Sequence, residues 1–150
     1  MNRIDIGLRV RSITRDFSNS IFREQDVIDY INEGIERIQH LVPELEGMSV
    51  LGSGAQEVEL LPKPYHHLLA LYSASRCFAQ DERHHQATNL MNEFETKMEE
   101  LNVGIQMGRI VILDANGLPI KKVYEEDYVV DNYYNVSAVT DLDDGVEGVE

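Results

Sequence analysis

Within QDVIDYINEGIERIQHLVP, residues 25 to 43, Ile28, Ile31, Ile35, Ile38 and Val42 recur at steps of three and four. A row with that spacing lies along one face of a helix, whereas a strand would alternate at every second residue. The segment therefore has to fold as an amphipathic helix laid against a core. Gln25 and Asp26 place polar and acidic groups in its first turn, where a carboxylate suits the positive end of the helix dipole. Pro43 stops it, because proline cannot continue the hydrogen-bonded ladder. Asp29, Asn32, Glu33, Glu36 and Arg37 occupy the other face and read as solvated surface. Nothing on this helix carries chemistry; its information is in its packing.

Three more segments follow the same period. Residues 3–17, RIDIGLRVRSITRDF, predict a first helix with Ile6, Val10, Ile13 and Phe17 as its apolar stripe, and with Arg3, Arg11 and Arg15 on a separate basic face. Ser/Asn turn chemistry in SNSIFRE breaks the chain before the second helix. Residues 44–62 read as a loop with three glycines and a short extended piece at Val58–Leu60. Pro62 and Pro64 frame the start of a third helix. From Leu68 to Ala79 its only charge is Arg76, and apolar residues occupy more than one face, which places it centrally or against a second subunit. A break at Asp81 and Glu82 precedes a fourth helix with Ala87, Met91, Phe94, Met98 and Leu101 as its stripe. The expected fold is mainly α, an antiparallel bundle of about four helices over residues 1–103.

The pattern changes after Val103. RIVILDANGLPIKKVY joins a β-branched run, Ile110, Val111 and Ile112, to the turn dipeptide Asn116-Gly117, which predicts a β-hairpin with Pro119 on an edge strand. The remainder of residues 104–150 reads as an extended acidic arm that gains order only against another chain.

Charge sharpens the division. Residues 1–103 hold 10 bases and 17 acids, a net −7; residues 104–150 hold 3 bases and 10 acids, also −7 in less than half the length. After Lys122 no base occurs. A total of −14 argues against gripping nucleic acid through its phosphates, which requires a basic surface. One cysteine, Cys77, cannot staple the fold and fits synthesis in a reducing cytoplasm. The charged N-terminus does not resemble a signal peptide, and no apolar run reaches the roughly 18 residues of a membrane span.

Candidate chemistry is sparse. The pairs His66–His67 and His84–His85, the latter beside Asp81 and Glu82, are the residue types that ligate a transition metal. Each pair starts its own helix, however, and antiparallel neighbours would separate the pairs by roughly 27 Å at about 1.5 Å per residue. Surface or interface histidines are the plainer reading. Cys77, in the most apolar helix, reads as a buried inert thiol. The glycines of LGSGA open no G-K-[ST] and so form no phosphate loop. No catalytic residue, metal site or cofactor is assigned.

Across residues 3–101 the pattern resembles the head–tail connector proteins (adaptor or head-completion proteins) of tailed bacteriophages. The likeness runs through EQDVIDYINEGIERI, then a glycine-containing loop into VELLPKPYHHLLALYSASRCF, then DERHHQATNLMNEFETKMEEL as a last amphipathic helix. It implies a structural virion protein at the neck, made in the host cytoplasm. Such a subunit joins about twelve copies of itself in a ring beneath the portal protein. The ring extends the DNA channel, which DNA crosses without specific binding, and docks a tail or stopper protein below. No membrane is involved.

On this reading the apolar helix from Tyr65 to Ala79 supplies subunit surface, and the acidic arm pairs with Arg3, Arg11 and Arg15 of a neighbour or with a basic portal surface. Ile110, Val111 and Ile112, with Tyr124, Tyr128, Tyr133 and Tyr134, are the remaining expected partner contacts. Two other readings compete: an acidic DNA mimic that inhibits a nucleic-acid-binding protein, and a metal-dependent helical enzyme using His84, His85, Asp81 and Glu82.

Overall fold

Four α-helices dominate residues 1–120, the part of the chain that the computed structural model describes. They are α1 (Arg3–Thr14), α2 (Glu24–Leu41), α3 (His67–Gln80) and α4 (His84–Gln106), with single 3-10 turns at Pro43–Leu45 and Lys63–Tyr65. The chain is mainly helical, as its periodicity requires.

Asn2 caps α1: its side chain accepts from the Asp5 N–H at 2.9 Å while the Asp5 carboxylate accepts from the Asn2 N–H at 3.2 Å. This reciprocal pair satisfies two of the donors that a helix start leaves unpaired. The helix ends three residues short of the expected Phe17. Arg15 turns to φ +59°, and the Asp16 carboxylate then collects the N–H groups of Ser20, Ile21 and Phe22 at 2.9, 3.2 and 2.9 Å. Phe17, predicted for the apolar stripe, is 74% exposed beyond the helix, and Phe22 is buried. A local side-chain-to-backbone network has overridden helix continuation.

Along α2, Val27, Ile31, Ile35 and Ile38 are buried, with Ile28 only partly so, and Pro43 opens a new turn just past the helix end. The polar face is less solvated than its composition suggests. Asn32 accepts the Leu51 N–H at 2.8 Å, and the Gln39 side-chain amide donates to the carbonyls of Glu46 and Met48. Glu33 accepts from the Tyr72 hydroxyl at 2.7 Å and pairs with Arg76 at 3.1 Å. The long loop is thereby tied down as a lid, with Leu45, Met48, Leu51, Val58 and Leu61 in the core. No strand forms at Val58–Leu60, where Leu60 has φ +65° and the nearest pairing is a single bridge between Asn2 and Glu57.

Helix α3 is central. It packs on α1, α2 and α4, and every residue from Leu68 to Ser75 is buried. This decides between the two sequence-based placements. The helix's second apolar face is consumed within its own chain, so the expectation that the segment from Tyr65 to Ala79 supplies intersubunit surface is corrected. The pairings Ser75 with Ala87 (hydroxyl to carbonyl, 2.8 Å) and Tyr72 with Phe94 (rings 5.3 Å apart, edge to face) show α3 and α4 running antiparallel.

The body continues past residue 103. Gly108 at φ +73° reverses the chain after α4, in the left-handed conformation that glycine adopts without penalty. The reversal lays Ile110 on Gly104, where an added Cβ would fall 2.5 Å from the Ile110 side chain, and buries Ile112 in the common core. Asp114 then nucleates a turn, its carboxylate accepting from the Asn116 and Leu118 N–H groups at 2.8 and 2.9 Å, with Gly117 at φ +78°. Leu113 and Pro119 form one isolated antiparallel bridge, and among the described residues there is no strand. The rest of the expected hairpin and the acidic arm lie outside the described residues.

Candidate interaction surface

The three arginines of the expected basic face have different fates. Arg3 is partly buried and donates to the carbonyls of Gly52 and Leu51 at 2.9 and 3.4 Å, holding the loop against α1. Arg11 is only 7% exposed; its guanidinium donates to Asp16 at 2.7 Å and to the Phe22 carbonyl at 2.7 Å. Arg15 alone is presented to solvent. Arg11 therefore corrects the sequence reading: its four-residue spacing from Arg15 was visible, but the acid that draws it inward, Asp16, was not recognised as a partner.

Ile112 is a second correction, since it is enclosed by its own chain; Ile110 is half-buried over Gly104, and Val111 is 54% exposed. Tyr124, Tyr128, Tyr133 and Tyr134 fall outside the described residues.

What the sequence reading missed is a groove of about 180 Å³ between α1 and the first half of α2. Ile4, Gly7 and Leu8, with Arg3 and Arg11, form one wall; Glu24, Val27, Ile28 and Ile31 form the other, and Asn19 closes one end. Ile4 is 56% exposed and Leu8 65%, although both sit on regular helix. A Cβ built at Gly7 meets no atom within 4 Å, so glycine leaves this wall open. Arg9 and Arg15, exposed on the same helix or at its end, form no ion pair among the described residues. The signal was present as Ile4 and Leu8, one turn apart and off the Ile6–Val10–Ile13 stripe. α1 is apolar on two sides, and only one of them meets the core.

The titratable groups follow their burial. Cys77 is buried and its thiol is pushed up to about 12 by desolvation, which keeps it protonated and unreactive. His84 and His85 are exposed, and no group of three or more metal-ligating side chains assembles among the described residues. His66, read from sequence as a surface histidine, is instead buried. Its Nε2 lies 2.7 Å from the Leu61 carbonyl and must therefore donate, leaving Nδ1 as the acceptor 3.4 Å from the Met1 amine.

Burial lowers the His66 pKa from its ordinary 6.5, against the opposing pull of the Leu61 carbonyl. The unfolded chain thus binds this proton more readily than the folded one. The His66 contribution to stability is complete above pH 6.5 and lost as pH falls below it. Melting temperature should drop between pH 7 and pH 5, and His66→Gln should flatten that dependence. An equal slope in the variant would show that another group governs it.

Among the described residues no helix is long and apolar enough to cross a membrane. Comparison with protein-family models, curated proteins and solved structures returned no match.

Proposed function

We propose that the chain is a structural building block of a tailed-bacteriophage neck, a head–tail connector that forms a ring beneath the portal and offers a docking surface to a tail or stopper protein. On this proposal it has no catalytic role and works in the virion, its helical body followed by a hairpin and an acidic arm. The supporting observation is that the segments carrying the resemblance make one helical body, on which α1 keeps Ile4 and Leu8 exposed along a groove against α2. Large side chains left exposed together on a well-packed body are the usual mark of a partner surface. The net −14 suits a channel lining that DNA passes without sticking. The test is co-sedimentation with the portal ring of the virus that encodes the chain. Co-migration at low salt supports the proposal; a portal ring that sediments without it overturns it.

A further inference from the structure

We infer that His66 latches a seam between residues 1–4 and the long loop, and that acid opens this seam while the helical body stays folded. The inference goes beyond the connector reading and does not depend on it. Residues 1–4 and 52–58 lie antiparallel, with a bridge between Asn2 and Glu57. The Val58 N–H donates to the Met1 carbonyl at 3.1 Å, and the N–H groups of Arg3 and Ile4 donate to the carbonyls of Gln56 and Gly54, each at 3.2 Å. The Arg3 guanidinium reaches the Gly52 carbonyl, and Ile4 packs so close that a Cβ on Gly54 would fall 2.8 Å from its side chain.

His66 joins the two sides of the seam to α3. Its buried ring donates from Nε2 to the Leu61 carbonyl at 2.7 Å and turns Nδ1 to the Met1 ammonium at 3.4 Å. The ammonium in turn meets the Glu57 carboxylate at 2.8 Å. This latch holds only with a neutral ring. A proton on Nδ1 removes the lone pair that faces the ammonium and sets two cations side by side in a buried site. Lys63 adds to that repulsion and Glu57 opposes it, while the neighbouring His67 is exposed and turns its own Nδ1 to the Pro64 carbonyl at 2.8 Å.

An imidazolium is therefore accommodated by admitting water, and the seam is the weakest barrier to it. Three backbone hydrogen bonds close the seam, whereas α3 is buried from Leu68 to Ser75 and packs on three helices. Proteins open first where few contacts resist. The open seam binds the His66 proton at its ordinary 6.5 and the closed seam only below that, so the opening equilibrium grows as pH falls below 6.5. Opening brings Val58 and Leu61, core residues at neutral pH, to solvent.

The test is hydrogen exchange of the full chain, with no tag before Met1, read by NMR from pH 7.5 to pH 5 and corrected for the intrinsic rate. The Arg3, Ile4 and Val58 amides should lose protection about fivefold or more between pH 7 and pH 5.5, the ceiling for one proton being tenfold per pH unit. Amides of α3 and α4 should keep theirs, and the His66 ring signals should titrate over the same range as the seam. His66→Gln retains a donor for Leu61 and an oxygen for the ammonium but takes up no proton, so its seam protection should be equal at both pH values. Seam protection that ignores pH, an equal loss in α3 and α4, or an unchanged pH dependence in His66→Gln would each overturn the inference. If His66→Gln does not fold, the parent chain decides: ring titration and seam exchange with separate midpoints refute the latch.

Discussion

Asp16→Ala should destabilise the protein by about 3–5 kcal/mol, because it strips the partner from a buried guanidinium. Arg11 and Asp16 are both buried, and their ion pair measures 2.7 Å. The same carboxylate also holds the N–H groups of Ser20, Ile21 and Phe22, so its loss unpins the whole α1–α2 connection. Burial alone would raise the Asp16 pKa; the backbone hydrogen bonds from Phe22, Ile21 and Ser20 outweigh it and hold the carboxyl below its ordinary 3.8. Its stabilising contribution is therefore present above pH 3.8 and is lost as pH falls through the lowered value, a window well below that of His66. Urea unfolding at pH 7 measures the effect. A variant within about 1 kcal/mol of the parent would mean that Arg11 reaches solvent at little expense.

Phe94→Ala should cost about 3–5 kcal/mol, the range for removing a fully buried aromatic side chain. Phe94 is 0% exposed at the centre of the α3–α4 contact and meets Tyr72 edge to face. The informative control is Phe17→Ala. Sequence periodicity assigns Phe17 to the apolar stripe of α1, whereas the structure leaves it exposed, so its loss should stay within about 0.5 kcal/mol. Equal penalties at the two positions, measured by thermal or urea unfolding, would contradict the packing described above.

The contrast between these two phenylalanines shows where sequence was sufficient. Period alone located Phe94, Met98 and Leu101 on one buried face, and it left α3 either central or against a second subunit, a choice that burial of Leu68 to Ser75 within the chain decides. What it did not contain was competition. Asp16 and Ser20 are unremarkable polar residues in a turn, and only their placement in space shows a carboxylate taking three backbone donors and an arginine away from the surface. The same limit hid His66, which spacing paired with His67 but which folds inward onto Leu61. The open groove was half legible. Ile4 and Leu8 could be placed on a common face, but that α2 would leave that face uncovered depends on how α1 seats against α3. Past residue 103 the β-branched run suggested a strand, and burial of Ile112 together with the close approach of Ile110 to Gly104 explains that run as packing.

The proposed role turns on assembly, and native mass spectrometry reads assembly directly. The full chain would be measured alone and after mixing with the portal ring of the phage that, on this proposal, encodes it. The connector proposal predicts discrete addition of about a dozen copies to the portal mass. A portal that keeps its own mass, beside a chain that stays monomeric at every concentration tested, would contradict it.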